Sequence, residues 1–170
     1  MVTQRPILAR SLAFLLLLAL SAQAVESQYS IKEEHPPLGS AIRRHAVFGS
    51  PIPINKRYEE LTASEKALVN QVYENVQPGD EPPFPADGLK PIHEAMRKAQ
   101  AKLLVEGDLI LIVTVGPNGS PTAVKVIGSP SAEMTNFAAT VLLLTRFKPA
   151  VCQGSPCQMQ FPFAFNFRVR

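Results

Sequence analysis

The feature that most constrains the fold is an alternation of side chains near the C-terminus, in residues 158–167. Large apolar residues occupy every second position there, and Gln, Pro, Ala and Asn lie between them. Side chains two positions apart share one face of a β-strand. The pattern therefore predicts a strand with one apolar face, which needs another layer of structure to cover it. The residues of this face are Met159, Phe161, Phe163, Phe165 and Phe167.

Two helices are predicted in the middle of the chain. Thr62 and Glu65 have the spacing of a capping box, and an apolar stripe continues to Val76, so the first helix is expected over residues 62–76. A second helix is expected to begin between Gly88 and Pro91. Its apolar side chains recur at helical spacing, at Ile92, Ala95, Met96, Ala99 and Leu103.

A hairpin and a third helix follow. The run Leu109–Val115 is apolar and β-branched, which is typical of a central strand covered on both faces or nearly so. A turn at residues 116–119 leads to a partner strand over Thr122–Ile127. The third helix is expected to begin with Ser129 as its N-cap and Pro130 as its first residue. Its buried stripe is predicted to contain Met134, Phe137, Ala138, Val141 and Leu142. The order α-α-β-β-α-β predicts an α+β fold, a three-stranded antiparallel sheet with helices packed on one face.

The N-terminus predicts export. Arg5 and Arg10 precede the apolar run Leu12–Leu20, and residues 22–24 have the A-x-A pattern of a cleavage site. The run is short for a membrane span, which takes about 20 residues. We therefore expect a cleaved signal peptide at residues 1–24 and a mature protein in an oxidising compartment, without a stable membrane anchor. An uncleaved anchor is the alternative.

Charge argues against a nucleic-acid partner. Cleavage after residue 24 removes two of the 17 basic side chains and none of the 14 acidic ones, which leaves a net charge of +1. The remaining basic residues occur singly or in pairs along the chain. Such scatter is typical of a solvated surface and not of a nucleic-acid footprint.

Cys152 and Cys157 enclose four residues, Gln-Gly-Ser-Pro. In an exported protein, an even pair at this spacing favours a disulfide that closes a short turn. The chain-entropy description gives such a bond roughly 2 kcal/mol of stability. A redox-active or metal-binding pair is the alternative, although redox pairs usually lie closer together and open a helix.

No catalytic, cofactor or metal site is predicted. His35, His45 and His93 lack i, i+4 spacing, so we expect exposed polar residues and not a zinc site. The sequence has neither a G-x-S-x-G motif nor a glycine-rich phosphate loop. Because no acid, base or nucleophile has a partner, we expect that the chain is not an enzyme.

Short motifs occur in a fixed order between about Pro82 and Phe167. Residues 83–85 read Pro-Phe-Pro, residues 113–119 lead into the hairpin, and residues 146–150 read Arg-Phe-Lys-Pro-Ala. Together with Gly154 before the last strand, these motifs resemble the TonB C-terminal domain family over about half of the chain. The resemblance implies a periplasmic domain that contacts outer-membrane receptors by adding a strand to its sheet.

The chain departs from a typical TonB protein. Such a protein has an uncleaved inner-membrane helix and a long Pro/Lys/Glu-rich rod, and we expect neither here. Residues 25–57 are interpreted as an irregular arm, which would reach roughly 100 Å when fully extended. The resemblance therefore applies to the domain at residues 81–170, with residues 58–80 as an appended helix. It does not extend to energy transduction.

The last strand is expected to lie at an edge of the sheet. If its phenylalanines hydrogen-bond inward with Leu109–Val115, the alternate residues direct their backbone outward. Pro162 would then place a residue without an N–H in the middle of this rim. The predicted partner-binding edge consists of Gln158, Gln160, Pro162, Ala164 and Asn166.

Two functions are compatible with such an edge. In the first, it binds an extended segment of an envelope protein, such as a TonB-dependent receptor. In the second, the chain is a soluble structural or envelope-binding protein with this fold and no energy-transducing role. Pro162 would then protect the edge, and a homodimer is one arrangement of such a protein. In a third interpretation, the helix over residues 62–76 and its arm cover the edge or a groove.

Overall fold

The computed structural model describes Ile42 and residues 52–168. The predicted signal peptide, most of the predicted arm, His35 and His45 lie outside these residues. No helix within the described part is long and apolar enough to cross a membrane.

The helices and strands follow the predicted order. A 3-10 turn at Tyr58–Glu60 precedes three α-helices, α1 (Ala63–Asn70), α2 (Lys90–Leu103) and α3 (Ala132–Leu144). The strands in chain order are β1 (Phe84–Pro85), β2 (Gly107–Val115), β3 (Pro121–Gly128), β4 (Phe147–Lys148), β5 (Ala150–Cys152), β6 (Ser155–Cys157) and β7 (Met159–Phe167).

The main sheet contains β3, β2 and β7, in that order, and all of its pairs are antiparallel. The predicted α+β fold with a three-stranded antiparallel sheet is confirmed. The arrangement differs from the prediction in its extra pairs, because β1 pairs with β4 and β5 pairs with β6. Strands β4, β5 and β6 all lie in the segment that joins α3 to β7.

The core lies between the helices and one face of the sheet. Alternate residues of β2 and three phenylalanines of β7 are buried on this face, together with the inner sides of α2 and α3, and Phe165 is partly buried against them. The side chains of Leu109, Leu111, Val113 and Val115 are 0% exposed. The other face of β2 is less covered than predicted, because Ile110 and Ile112 remain partly exposed.

The first helix is shorter than predicted. Its capping box forms as expected, since Glu65 N–H donates to Thr62 Oγ1 and Thr62 N–H donates to Glu65 Oε2. The helix ends at Asn70 and does not continue to Val76. Beyond the helix the chain continues in a turn, and Tyr73 forms an antiparallel bridge with Ile42.

The third helix begins two residues later than predicted. Ser131, and not Ser129, is its N-cap, and its hydroxyl accepts a hydrogen bond from Met134 N–H at 3.1 Å. Pro130 lies before the cap. Phe137 was expected in the buried stripe but is 39% exposed. Met134, Ala138 and Leu142 face the core, and Phe137 lies about 100° around the helix from Ala138.

The hairpin turn packs against the segment that follows α3. Gly119 has a φ of +79°, and a Cβ at this position would collide with the carbonyl oxygen of Phe147. Phe147 N–H in turn donates to Gly119 O at 3.0 Å. The Asn-Gly turn and the Arg-Phe-Lys-Pro-Ala motif are therefore two parts of one contact, which explains why a glycine is needed there.

Candidate functional site

Strand β7 forms one edge of the three-stranded sheet. It pairs with β2 over nine consecutive positions, from Gly107↔Phe167 to Val115↔Met159, without a register shift. The backbone groups that β7 directs toward β2 are thus paired along the whole strand. Its outer side offers backbone donors and acceptors, which are the groups that bind a further strand.

Two hydrogen bonds establish which residues of β7 point outward. Thr122 Oγ1 donates to the carbonyl of Thr114 at 3.2 Å, so the backbone of Thr114 points toward β3. Thr114 is paired with Gln160, whose backbone must therefore point away from β2. In agreement, the Gln160 carbonyl accepts a hydrogen bond from the hydroxyl of Tyr73 at 3.0 Å. By alternation, the backbone groups of Pro162, Ala164 and Asn166 also point away from β2.

Pro162 lies opposite Ile112, at a position where its missing N–H does not affect the ladder with β2. The same position interrupts the outer row of donors. Ala164 and Asn166 retain outward N–H groups beyond the interruption. Within the described residues, no strand pairs with the outer side of β7 at Pro162, Ala164 or Asn166.

Tyr73 closes the beginning of the edge. Its side chain is 1% exposed and belongs to a buried cluster with Val72, Ala150 and Met159. Burial raises the pKa of Tyr73 far above its ordinary value of 10, so the phenol remains a neutral donor. Tyr73 lies within the helix predicted over residues 62–76, and no local motif indicates its contact with β7.

The hairpin of β5 and β6, which a disulfide closes, packs against this cluster. Cys152 and Cys157 are joined, as the sequence predicts, and they close the turn between β5 and β6. Cys157 packs against the cluster that contains Tyr73. Val151 of the same hairpin exchanges two backbone hydrogen bonds with Glu81, at 2.8 and 2.9 Å. The segment after Tyr73 is therefore held at the hairpin.

Polar contacts strengthen this attachment. Gln153 N–H donates to Asp80 Oδ1 at 2.8 Å. Lys148, from the Arg-Phe-Lys-Pro-Ala motif, forms an ion pair with Glu81 at 2.9 Å and lies 4.6 Å from the ring centroid of Tyr58. Because Lys148 is largely covered, this pair is less screened than one at the surface.

The far half of β7 is supported from the inside by α2. The ring of His93 lies 6.2 Å from that of Phe163 and 5.3 Å from that of Phe165, measured between centroids. Burial lowers the pKa of His93, which favours the neutral imidazole. The expectation that His93 is an exposed polar residue is therefore wrong, because it packs on the phenylalanine face.

Polar side chains lie at the C-terminal end of β7 and directly after it. Asn166 Nδ2 donates to Asp108 Oδ1 at 2.6 Å, and Arg168 Nε donates to Asn166 Oδ1 at 2.8 Å. Within residues 52–168 and Ile42, no group of three or more His, Cys, Asp or Glu side chains could hold a metal ion. The chemistry that this edge offers is backbone hydrogen bonding.

Comparison with known proteins identifies the C-terminal part of the chain. Residues 97–169 match the family model described as the Gram-negative bacterial TonB protein C-terminal. The match runs from the middle of α2 through β7, and so includes the whole three-stranded sheet. No curated protein matches the chain. The fold, the order of motifs and this match agree: residues 97–169 belong to the TonB C-terminal domain family.

Proposed function

We propose that this chain is a TonB-like interaction module of the cell envelope whose β7 edge binds an extended segment of a partner protein. The family consists of periplasmic protein-interaction domains and not of enzymes, which supports a binding role. The observation that carries the proposal is the unbroken register of β7, whose outer side is unpaired from Pro162 to Asn166 in the described part.

The opposite edge of the sheet is less suited to pairing. The register between β2 and β3 shifts twice, between Ile110 and Leu111 and between Thr114 and Val115. Bulges twist an edge strand and interrupt its row of donors and acceptors, which hinders the addition of another strand. The regular edge of β7 is therefore the better docking surface.

The part of the β7 edge from Pro162 to Asn166, called the open half below, can form only a short ladder of hydrogen bonds with a partner strand. Its outward groups are the carbonyls of Pro162, Ala164 and Asn166 and the N–H groups of Ala164 and Asn166. A typical hydrogen bond contributes only about 0.5–1.5 kcal/mol net. Such a ladder fits a weak and reversible complex, as expected for a partner that engages and releases.

The partner class that fits is an envelope protein with an extended segment, such as the plug of a TonB-dependent receptor. We propose no energy-transducing role and no cofactor. The location proposed is the periplasm, reached by means of the signal peptide at residues 1–24. Fractionation of cells that express the full-length chain, with sequencing of its N-terminus, should find a periplasmic protein that begins near Val25. An intact N-terminus in the membrane fraction would contradict this location.

A second candidate function is a structural envelope protein with a protected edge, and Pro162 is the observation that favours it. A proline at an outward position is a known way to block edge-to-edge association. Under this alternative, Pro162→Thr should produce dimers or aggregates in size-exclusion chromatography. A variant that stays monomeric would count against edge protection.

The binding proposal is tested by NMR titration with a synthetic ten-residue peptide from the plug of a TonB-dependent receptor. We expect the amide signals of Ala164 and Asn166 to shift in proportion to bound peptide. A scrambled peptide of the same composition is the control. Signals that do not move at any peptide concentration would refute the proposal.

A further inference from the structure

The first outward acceptor on β7 already has a donor from the same chain. The Tyr73 hydroxyl donates to the Gln160 carbonyl across 3.0 Å. A partner strand would offer a main-chain N–H to the same oxygen. Tyr73 therefore occupies the place of one hydrogen bond in the ladder that a partner would form.

We infer that residues 72–81 form an in-chain cover over the first half of the docking edge. A partner strand then pairs from Pro162 onward, and reaches the Gln160 carbonyl only if the hydrogen bond from Tyr73 is lost. This inference rests on the proposed function, since it names what limits binding at that same edge. It assigns to the segment after α1 a regulatory contact that the match over residues 97–169 does not include.

Burial holds the near end of the cover in place. Val72 and Tyr73 are 8% and 1% exposed, and both belong to the buried cluster that contains Met159, a residue of the strand being covered. The raised pKa of Tyr73 keeps its hydroxyl protonated throughout the physiological range, so a change in pH does not release the contact.

The disulfide hairpin holds the far end of the cover. Glu81 pairs with Val151 through two backbone hydrogen bonds, and Asp80 accepts from the backbone N–H of Gln153. These hairpin residues lie on the short strand and turn that the disulfide closes. Both ends of the cover therefore contact the hairpin that the disulfide closes.

The test compares three full-length proteins in the same NMR titration with the receptor peptide: the unaltered chain, Tyr73→Phe and Tyr58→Phe. Tyr73→Phe keeps the buried ring and removes the competing donor. We expect its peptide response to extend from Ala164 back to Gln160, with a Kd lower by roughly 2- to 10-fold, the value of one hydrogen bond. Tyr58 contacts Phe84 in the main core, so Tyr58→Phe should behave like the unaltered chain.

The outcomes separate the cover from the binding proposal. A peptide that shifts Gln158 and Gln160 in the unaltered chain as strongly as Ala164 would overturn the cover and leave the docking edge intact. If no protein responds to peptide, the binding proposal fails, and the ¹³C signal of the Gln160 carbonyl decides the cover. A shift of that signal in free Tyr73→Phe, but not in Tyr58→Phe, supports the cover, and an unmoved signal overturns it.

Discussion

The two halves of β7 share one alternating sequence but are held in different ways. At the beginning, Met159 and Gln160 lie against Tyr73 and a cluster backed by the disulfide hairpin. At the end, Phe163 and Phe165 pack on His93 of α2, and the outer side is unpaired in the described part. A single strand can thus carry a closed and an open edge, and Pro162 lies where one gives way to the other.

The largest effect should distinguish the two faces of the open half of β7, the face covered by the helices and the opposite face. Phe163 is 3% exposed, so Phe163→Ala should lower the free energy of unfolding by about 3–5 kcal/mol through the cavity that it leaves. The adjacent outward variant Ala164→Ser should change it by less than about 0.5 kcal/mol. Urea denaturation measures both values. Equal losses of unfolding free energy in the two variants would contradict the assignment of Phe163 to the core face and Ala164 to the opposite face.

The disulfide should matter more for the closed half than for the open half. The double variant Cys152→Ser/Cys157→Ser should lose roughly 2 kcal/mol of stability, because the unfolded chain regains the freedom of the closed loop. Amide exchange should increase more at Phe161 than at Phe165, since the hairpin supports the beginning of β7. Uniform acceleration along the strand would argue that the hairpin stabilises the whole domain equally.

A single hydroxyl tests the closed half more finely. Tyr73→Phe should cost about 1 kcal/mol in urea denaturation, the value of one partly buried hydrogen bond. Tyr58→Phe is the matched control, because Tyr58 is also buried but lies in the main core. If both variants lose the same free energy of unfolding, the hydrogen bond from Tyr73 to Gln160 contributes no more than the hydroxyl of another buried tyrosine.

The smallest effect concerns the support of the open half by His93. Its pKa is lowered from the ordinary value of 6.5, so the unfolded chain binds the proton more readily than the folded one. The free energy of unfolding should therefore fall as the pH drops below about 6.5, until the folded-state pKa is passed. His93→Gln should reduce this slope between about pH 7 and about pH 5. An unchanged slope would assign the pH dependence to other groups.

Much of the fold could be predicted because its signals are local. The phenylalanine alternation, the run Leu109–Val115 and the capping box at Thr62 each determine an element by themselves. The start of α3 was missed because Ser129 and Ser131 are both good N-caps beside Pro130, and the sequence does not rank them. The exposure of Phe137 was missed because packing around a helix that is apolar on most sides depends on its neighbours.

The candidate site could be predicted only in part. The outward direction of Gln160, Pro162, Ala164 and Asn166 followed from strand geometry, whereas Gln158 precedes β7. That the segment after α1 covers the edge stays a proposal. The actual contact depends on Tyr73, which lies beyond the end of α1 and meets a residue of β7 that is 87 positions away in sequence. Long-range pairs of this kind have no local pattern, so the early end of α1 and the role of Tyr73 needed the structure.

The most direct test of the account asks which edge of the sheet receives a partner. A receptor peptide that adds to the sheet gives short-range intermolecular nuclear Overhauser effects to the strand that it pairs with, since neighbouring strands lie about 4.8 Å apart. We predict such effects at the amide protons of Ala164 and Asn166, on the open half of β7, and none at Val124 and Val126 on β3. Effects at Val124 and Val126 would contradict the account, because they would place the partner on the bulged edge.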